Sequence, residues 1–209
     1  MADKVINNTG KCILSVVMIT IPERALEFYR LKSAILKQID YCHEVHPTLG
    51  DVELVVINSK KFTKGGDSIG NKRTKGLNLS CGKYVCWLDD DDSISPDYVE
   101  TLLRLAIADK DVLVFNNISR FENFWSLVQM NIDFKEDEQA FPGIVHRRPY
   151  HICGWRRELL NGISFPDLNW DEDTAFIEQA LKVCKTQSKT EAVLHEYNRG
   201  KREDEKWRK

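Results

Sequence analysis

Tyr84-Val85-Cys86-Trp87-Leu88-Asp89-Asp90-Asp91-Asp92 is the stretch on which the fold turns. Five apolar residues in a row read as a strand buried on both faces, the kind found inside α/β sheets. Four consecutive carboxylates then end it, and their mutual repulsion is costly unless a cation or solvent offsets it. In open α/β sheets ligands gather at the carboxyl ends of the strands, which is where this cluster falls. Hard oxygen donors on a short turn suit Mg²⁺ or Mn²⁺ holding a phosphate, and a solvated acidic turn is the plain alternative. Ser93-Ile94-Ser95-Pro96 leads into a helix expected to start near Pro96.

Working outward, the pattern alternates strand and helix. Cys12 to Ile19 is a strand-like run, followed by a helix from Glu23 to Gln38 on which Leu26, Arg30, Ala34 and Lys37 recur at helical spacing. Val52 to Ile57 is a second strand, followed by a glycine-rich loop, Gly65 to Gly70, and a helix from Asn71 to Ser80. A helix from Tyr98 to Ala108 and a strand from Asp111 to Phe115 come next. The stretch from there to Arg148 reads as short strands, with Phe121, Phe124 and Trp125 placed to line an acceptor groove or to form a local apolar cluster. Trp155 to Leu160 reads as helical, Ala175 to Val183 as a further helix and Glu191 to Leu194 as a short final strand. The alternation predicts a single α/β domain whose mixed, mostly parallel sheet is flanked by helices in a Rossmann-like manner. Its expected limits are residues 11–197, between an N-terminal arm (1–10) and a flexible polar tail (198–209).

Composition narrows the function classes. A chain of 209 residues that is 42% hydrophobic can bury one sizeable core. No apolar run approaches the roughly 20 residues that cross a bilayer, and no signal-peptide pattern follows Met1, so a cytoplasmic location is expected. The cysteines, Cys12, Cys42, Cys81, Cys86, Cys153 and Cys184, show no tight ligand spacing and read as reduced, mostly buried thiols. Net charge is −2, yet Lys60 to Lys83 is strongly basic and precedes the aspartates, a pairing suited to a nucleoside diphosphate. The charge balance elsewhere carries no strong nucleic-acid footprint, although a nucleic-acid acceptor stays open.

Three stretches in order, Ser15 to Thr20, Ile69 to Leu77 with Tyr84 to Asp92, and Trp170 to Phe176, give the chain a family resemblance. It resembles the inverting, family-2-like glycosyltransferases of the A-type, nucleotide-diphospho-sugar transferase fold. The resemblance implies metal-dependent transfer of a sugar, a hexose or deoxyhexose, from a nucleoside-diphosphate sugar to an acceptor hydroxyl, most naturally on a glycan. The family's Asp-any-Asp motif falls on Asp89 and Asp91, so that Asp91 binds Mn²⁺ or Mg²⁺ directly while Asp89 faces the ribose and assists the ion. Arg73 takes the basic position beside the nucleotide, and Thr20 and Glu23 lie where the fold wraps the base. Asn58 stands where the family commonly has an aspartate that reads uracil; a UDP-sugar is favoured, with another base left open.

Within the same resemblance, Glu172 and Asp173 match an acidic pair at a helix start, with Asp173 as catalytic base and Glu172 orienting hydroxyls. Helix capping is the ordinary use of acids there. Trp170 offers an apolar wall to a sugar, Arg156 or Arg157 a partner for an anionic acceptor, and His195 a late ligand to the ion. Arg199, Lys201 or Arg202 would close over the diphosphate. Rival readings are a nucleotidyltransferase, a noncatalytic nucleotide- or glycan-binding domain, and a glycosyltransferase acting on modified DNA or protein.

Overall fold

The computed structural model describes residues 2–6, 11–58, 67–121, 123–134 and 137–199. Its centre is the parallel trio β2 (Cys12–Thr20), β3 (Asp51–Asn58) and β4 (Tyr84–Asp89), with β2 in the middle. Each strand carries a nearly continuous buried run, rich in Val, Ile and Leu in β2 and β3 and Tyr84-Val85-Cys86-Trp87-Leu88 in β4, because each is covered on both faces. Ala2–Ile6 forms β1, antiparallel on the outer side of β3, so this part of the expected arm is an edge strand of the sheet.

Beyond β4 the sheet turns mainly antiparallel. The three-residue β10 (Gly154–Arg156) pairs antiparallel with both β4 and β6 (Val112–Phe121). Then come β7 (Trp125–Met130), β9 (Ile144–Arg147) and β8 (Glu138–Phe141). The last strand, β11 (Gln187–Arg199), runs parallel to β6 and also pairs with β5 (Ser93–Ile94). The mixed sheet is therefore parallel in its β3-β2-β4 part and again in the β6–β11 and β7–β9 pairs, and the antiparallel pairs are more numerous than simple alternation implies.

Helices cover both faces. Trp87 packs edge-on against Phe165 and Phe176, whereas the Tyr98 hydroxyl donates to the sulfur of the adjacent Cys86 at 3.4 Å. Neighbouring strand residues point to opposite faces. The helix α3 (Tyr98–Ala106) and the helix α4 (Glu172–Val183) therefore lie on opposite sides of β4. The long α1 (Ala25–Val45) packs with α3, and α2 (Ile69–Leu79) with α4. Among the described residues no helix is long and apolar enough to cross a membrane.

Several elements depart from the sequence reading, each for a physical reason. In α1 the buried stripe is Phe28, Leu31, Ile35, Ile39 and Cys42, while Leu26 is 85% exposed in the first turn; the face read from Leu26 is the solvent face. Trp155 is a strand residue and not helical, because its pairing with Val85 and Val112 closes the gap between β4 and β6; only a single 3-10 turn, Arg157–Leu160, follows. The final strand runs 13 residues, Asn198 and Arg199 included, instead of the four expected. Its first half is polar and half-exposed, so hydrophobic patterning does not reveal it. Residues 200–209, with Lys201 and Arg202, lie outside the described residues, as do Gly65 and Gly66.

The contact between α2 and β2 depends on Gly76, where an added Cβ would lie 2.2 Å from the buried Val17 Cγ1. Alanine is ordinarily the better helix former, but a β-branched neighbour in a packed layer has no room to yield. Gly76→Ala is expected to lower stability by about 1–3 kcal/mol, the usual cost of overpacking. Urea denaturation checks this, and the opposite sign would mean that the layer relaxes.

Candidate active site

The aspartate run does not act as one block. After β4 a turn closes with the Asp92 amide donating to the Asp89 carbonyl at 3.2 Å, and Arg30 donates to the Asp92 carbonyl at 3.0 Å. This turn brings carboxylate oxygens of Asp89, Asp91 and Asp92 within 4.8 Å of one another. Asp90 points the other way, its side chain 1% exposed, and accepts hydrogen bonds from Thr20 and Arg24, each at 2.8 Å. Burial pushes the Asp90 carboxyl up, and Arg24 opposes that shift. Three hard oxygen ligands on one turn fit Mg²⁺ or Mn²⁺ by donor type and count.

Arg73 ties this turn to the second acidic segment. It is 3% exposed; its Nη2 donates to Asp89 Oδ1 at 2.8 Å and its Nη1 to Glu172 Oε1 at 2.7 Å. The helix that carries it is capped by Ser68, whose side chain accepts from the Asn71 amide. At the same end the Gly70 amide donates to the Leu168 carbonyl at 3.0 Å, and a Cβ on Gly70 would fall 1.8 Å from the Pro166 carbonyl oxygen. Only glycine permits the 166–171 loop to seat this closely. Asp171 ends the loop in the left-handed region at φ 60°, a conformation Asp tolerates better than most residues, and starts α4 so that Glu172 and Asp173 come next.

Glu172 is buried, and its carboxyl is pushed up to about 7 by that burial, with Arg73 pulling against it and Asp173 adding to it. Asp173 Oδ1 accepts from the Thr174 amide at 2.8 Å, while Oδ2 lies 3.7 Å from His151 Nδ1. Burial, and then the Arg73 charge, press the His151 pKa down to about 3, so its imidazole is neutral near pH 7. His195 is also buried; its Nε2 stands 3.0 Å from Asp92 Oδ2, and the Asn198 amide donates to the other Asp92 oxygen at 3.2 Å. One cleft of about 330 Å³ is lined by Arg73, Asp89, Asp92, Glu172, Asp173 and His195, and Trp170 stands half exposed at it. Its size falls within the range of small-molecule sites.

The other expected site residues are placed differently. The Thr20 hydroxyl is engaged with Asp90 in the core, Glu23 is exposed on the 3-10 turn before α1, and Asn58 is exposed at the end of β3. None of these three lines the cleft. Arg199 ends β11 opposite Phe121. Arg156 and Arg157 do not face the cleft: Arg156 is held by Asp109, and Arg157 donates to the Gly82 carbonyl at 2.8 Å, both beside the start of β4, at the other end of that strand from Asp89. Nor is the basic stretch one face, since Lys72 is buried and donates to the Thr20 carbonyl while Lys83 pairs with Asp109. Phe121 reaches the cleft, stacked on Phe124 with ring centroids 4.5 Å apart.

His151 and Tyr150 line the cleft without having been singled out from sequence. The dense basic and aromatic run from His146 to His151, just before Gly154, was the available signal. Arg73→Ala would leave Asp89 and Glu172 facing each other without their shared cation. Breaking a buried pair in this way costs about 3–5 kcal/mol. Chemical denaturation should show that loss for Arg73→Ala and a smaller one for Arg73→Lys, which keeps the charge but not the fork.

Comparison with known proteins gives this geometry a context. The profile described as Glycosyl transferase family 2 matches residues 60–163. The putative glycosyltransferase EpsH of Bacillus subtilis is 23% identical, over 72% of this chain and 53% of its own length. The glucosyl-dolichyl phosphate glucuronosyltransferase of Haloferax volcanii is 37% identical over 59 residues, which cover 28% of this chain and 18% of that protein. Among solved structures, S. aureus TarS 1-349 in complex with UDP-GlcNAc superposes with a TM-score of 0.63 at 20% identity, covering 91% of this chain and 59% of that one. The mannosyltransferase PcManGT from Pyrobaculum calidifontis, in complex with GDP-Man and Mn²⁺, gives 0.53 at 16% identity, covering 95% and 60%. The chain thus spans about half the length of EpsH and about three fifths of these structures. In sequence its residues 60–163 are similar to the family 2 glycosyl transferases, and its fold is that of the A-type glycosyltransferases.

Proposed function

We propose that the domain transfers a sugar, with inversion, from a nucleoside-diphosphate sugar to an acceptor hydroxyl, using a divalent ion at the aspartate turn. The observation that carries this reading is the meeting of two acidic segments on one cleft, Asp89 and Asp92 from the aspartate turn, with Asp91 beside them, and Glu172-Asp173. Inverting displacement needs charge stabilisation at the leaving group and a proton acceptor on the other side of the sugar. Mn²⁺ or Mg²⁺ held by Asp91, with Asp89 assisting, would supply Lewis acidity to the diphosphate. Asp92, joined to His195 at 3.0 Å, lies beside them, and His195 would serve as a further ligand to the ion.

Asp173 takes the proton of the acceptor hydroxyl as the acceptor oxygen bonds to the anomeric carbon and the bond to the diphosphate breaks. The Thr174 amide fixes one oxygen of Asp173, leaving the other directed toward the neutral His151 side of the cleft. Glu172, anchored by Arg73, orients donor or acceptor hydroxyls, and Trp170 gives a sugar ring an apolar face. Arg73, which lines the cleft, would face the nucleotide; Thr20, Glu23 and Asn58 would meet the base only if it extends beyond the cleft, toward the ends of β2 and β3, and Arg199 is assigned to the diphosphate by resemblance alone. UDP-sugar is the favoured donor and a glycan the favoured acceptor. The UDP-GlcNAc bound by TarS supports the choice of donor by analogy, and the Mn²⁺ bound by PcManGT beside GDP-Man supports the divalent ion.

Asp173→Asn should bind donor as the native protein does while transfer falls by roughly 10²–10⁴-fold, the usual worth of a general base. Mass detection of nucleoside diphosphate release across a panel of sugar nucleotides with Mn²⁺ measures this. Unchanged turnover would remove Asp173 from the role, and release of pyrophosphate would indicate a nucleotidyltransferase. In the same assay, Asp91→Asn should raise the Mn²⁺ concentration for half-maximal rate. Asp90→Asn should mainly lower stability, because its carboxylate is bound to Thr20 and Arg24. Loss of metal dependence in Asp90→Asn alone would shift the assignment by one residue.

A further inference from the structure

A second cluster of metal-ligating side chains lies at the opposite, amino-terminal end of the parallel strands. Cys12 opens β2, Cys81 follows the end of α2, and Glu53 stands on β3 beside Ser15 of β2. The two sulfurs and a Glu53 carboxylate oxygen lie within 4.8 Å of one another. Glu53 is fully buried; the Ser15 hydroxyl donates to its Oε1 at 2.6 Å and the Cys81 amide to the same oxygen at 2.5 Å. Ser15 Oγ also accepts from the Gly82 amide at 2.8 Å, and the Lys83 amide donates to the Cys12 carbonyl at 3.1 Å. These bonds bind the turn after α2 to the start of β2 and bring Cys81 to Cys12 across 68 intervening residues. Scattered in sequence, the thiols converge only through the fold.

The chemistry of the three groups is complementary. Burying a carboxylate is costly without compensation, and a thiol becomes a thiolate readily only beside positive charge. Burial, and then the nearby Glu53 and Cys81, push the Cys12 thiol up to about 12, so the metal-free cluster resists a second negative charge. A divalent cation reverses that balance. Two sulfurs with one carboxylate oxygen make a soft, three-ligand set of the kind that binds zinc, with a fourth position left to water. Cys81 is exposed, which gives an ion a path to the site.

We propose that Cys12, Cys81 and Glu53 form a binding site for a thiophilic divalent cation of the zinc class, separate from the aspartate turn. On binding, each thiol releases its proton to solvent as its sulfur bonds the metal, and no oxidant takes part. The ion staples the amino-terminal ends of β2 and β3 to the turn after α2.

Cadmium is the probe. Protein stripped with a chelator, reduced with a phosphine and titrated with Cd²⁺ should show a thiolate-to-cadmium charge-transfer band that saturates at one equivalent. Melting temperature should rise, and Cys81 should become resistant to a thiol reagent. Asp91→Asn, which weakens the aspartate turn, should keep the band; Cys12→Ser and Cys81→Ser should each lose it while retaining the native circular dichroism spectrum. Absence of the band in the native protein, or its persistence in the double serine variant, would overturn the proposal. So would ready formation of a Cys12–Cys81 disulfide under mild oxidation in protein whose spectrum Cd²⁺ leaves unchanged.

Discussion

The arrangement depends first on the guanidinium of Arg73. It spans Asp89, at the end of a core strand, and Glu172, at the start of a helix 99 residues after Arg73 itself. Both acids are drawn inward by the same planar fork, so the two acidic segments have a fixed separation before any ligand arrives. A lysine supplies the charge but not the rigid pair of donors that reaches two separate carboxylates. Everything around Arg73 serves to hold it: the close seat of the 166–171 loop on Gly70, the Phe165 ring 5.7 Å from its guanidinium carbon, and the capped start of α2.

Such a site opposes stability. Carboxylates at Asp89, Asp90, Asp91, Asp92, Glu172 and Asp173 crowd one end of the sheet, offset by Arg24, Arg30 and Arg73 and by the Asn198 amide on Asp92. The compensation comes from packing beneath: Trp87, Phe165 and Phe176 form a contiguous aromatic layer under Arg73, with Phe165 and Phe176 stacked 4.1 Å apart. Pre-paid order of this kind is what electrostatic catalysis requires, since dipoles and charges already in place need not reorganise during reaction.

Much of this was legible in the sequence wherever one physical demand dominated. The parallel strands β2, β3 and β4 declared themselves because burial on both faces demands unbroken apolar runs, and the aspartates declared the end of β4. Asp173, Glu172 and Arg73 were legible only through their motif context, since each alone reads as a cap or a surface charge. What escaped depended on tertiary partners. Trp155 looks helical until β4 and β6 are seen on either side of it. The inward turn of Asp90, the pairing of His195 with Asp92 and the arrival of His151 beside Asp173 follow from a loop geometry that no spacing encodes. The same holds for Cys12 and Cys81, distant in sequence and adjacent in space.

The central claim is that the aspartate turn holds a metal-bound diphosphate across the cleft from Asp173. Anomalous diffraction from crystals grown with UDP and Mn²⁺ tests it most directly. The account predicts one manganese peak within coordinating distance of Asp91 and at least one of Asp89, Asp92 or His195, touching the diphosphate, with Asp173 on the far wall of the same cleft. Diphosphate seated in the cleft without manganese, or manganese bound away from these carboxylates, would contradict it.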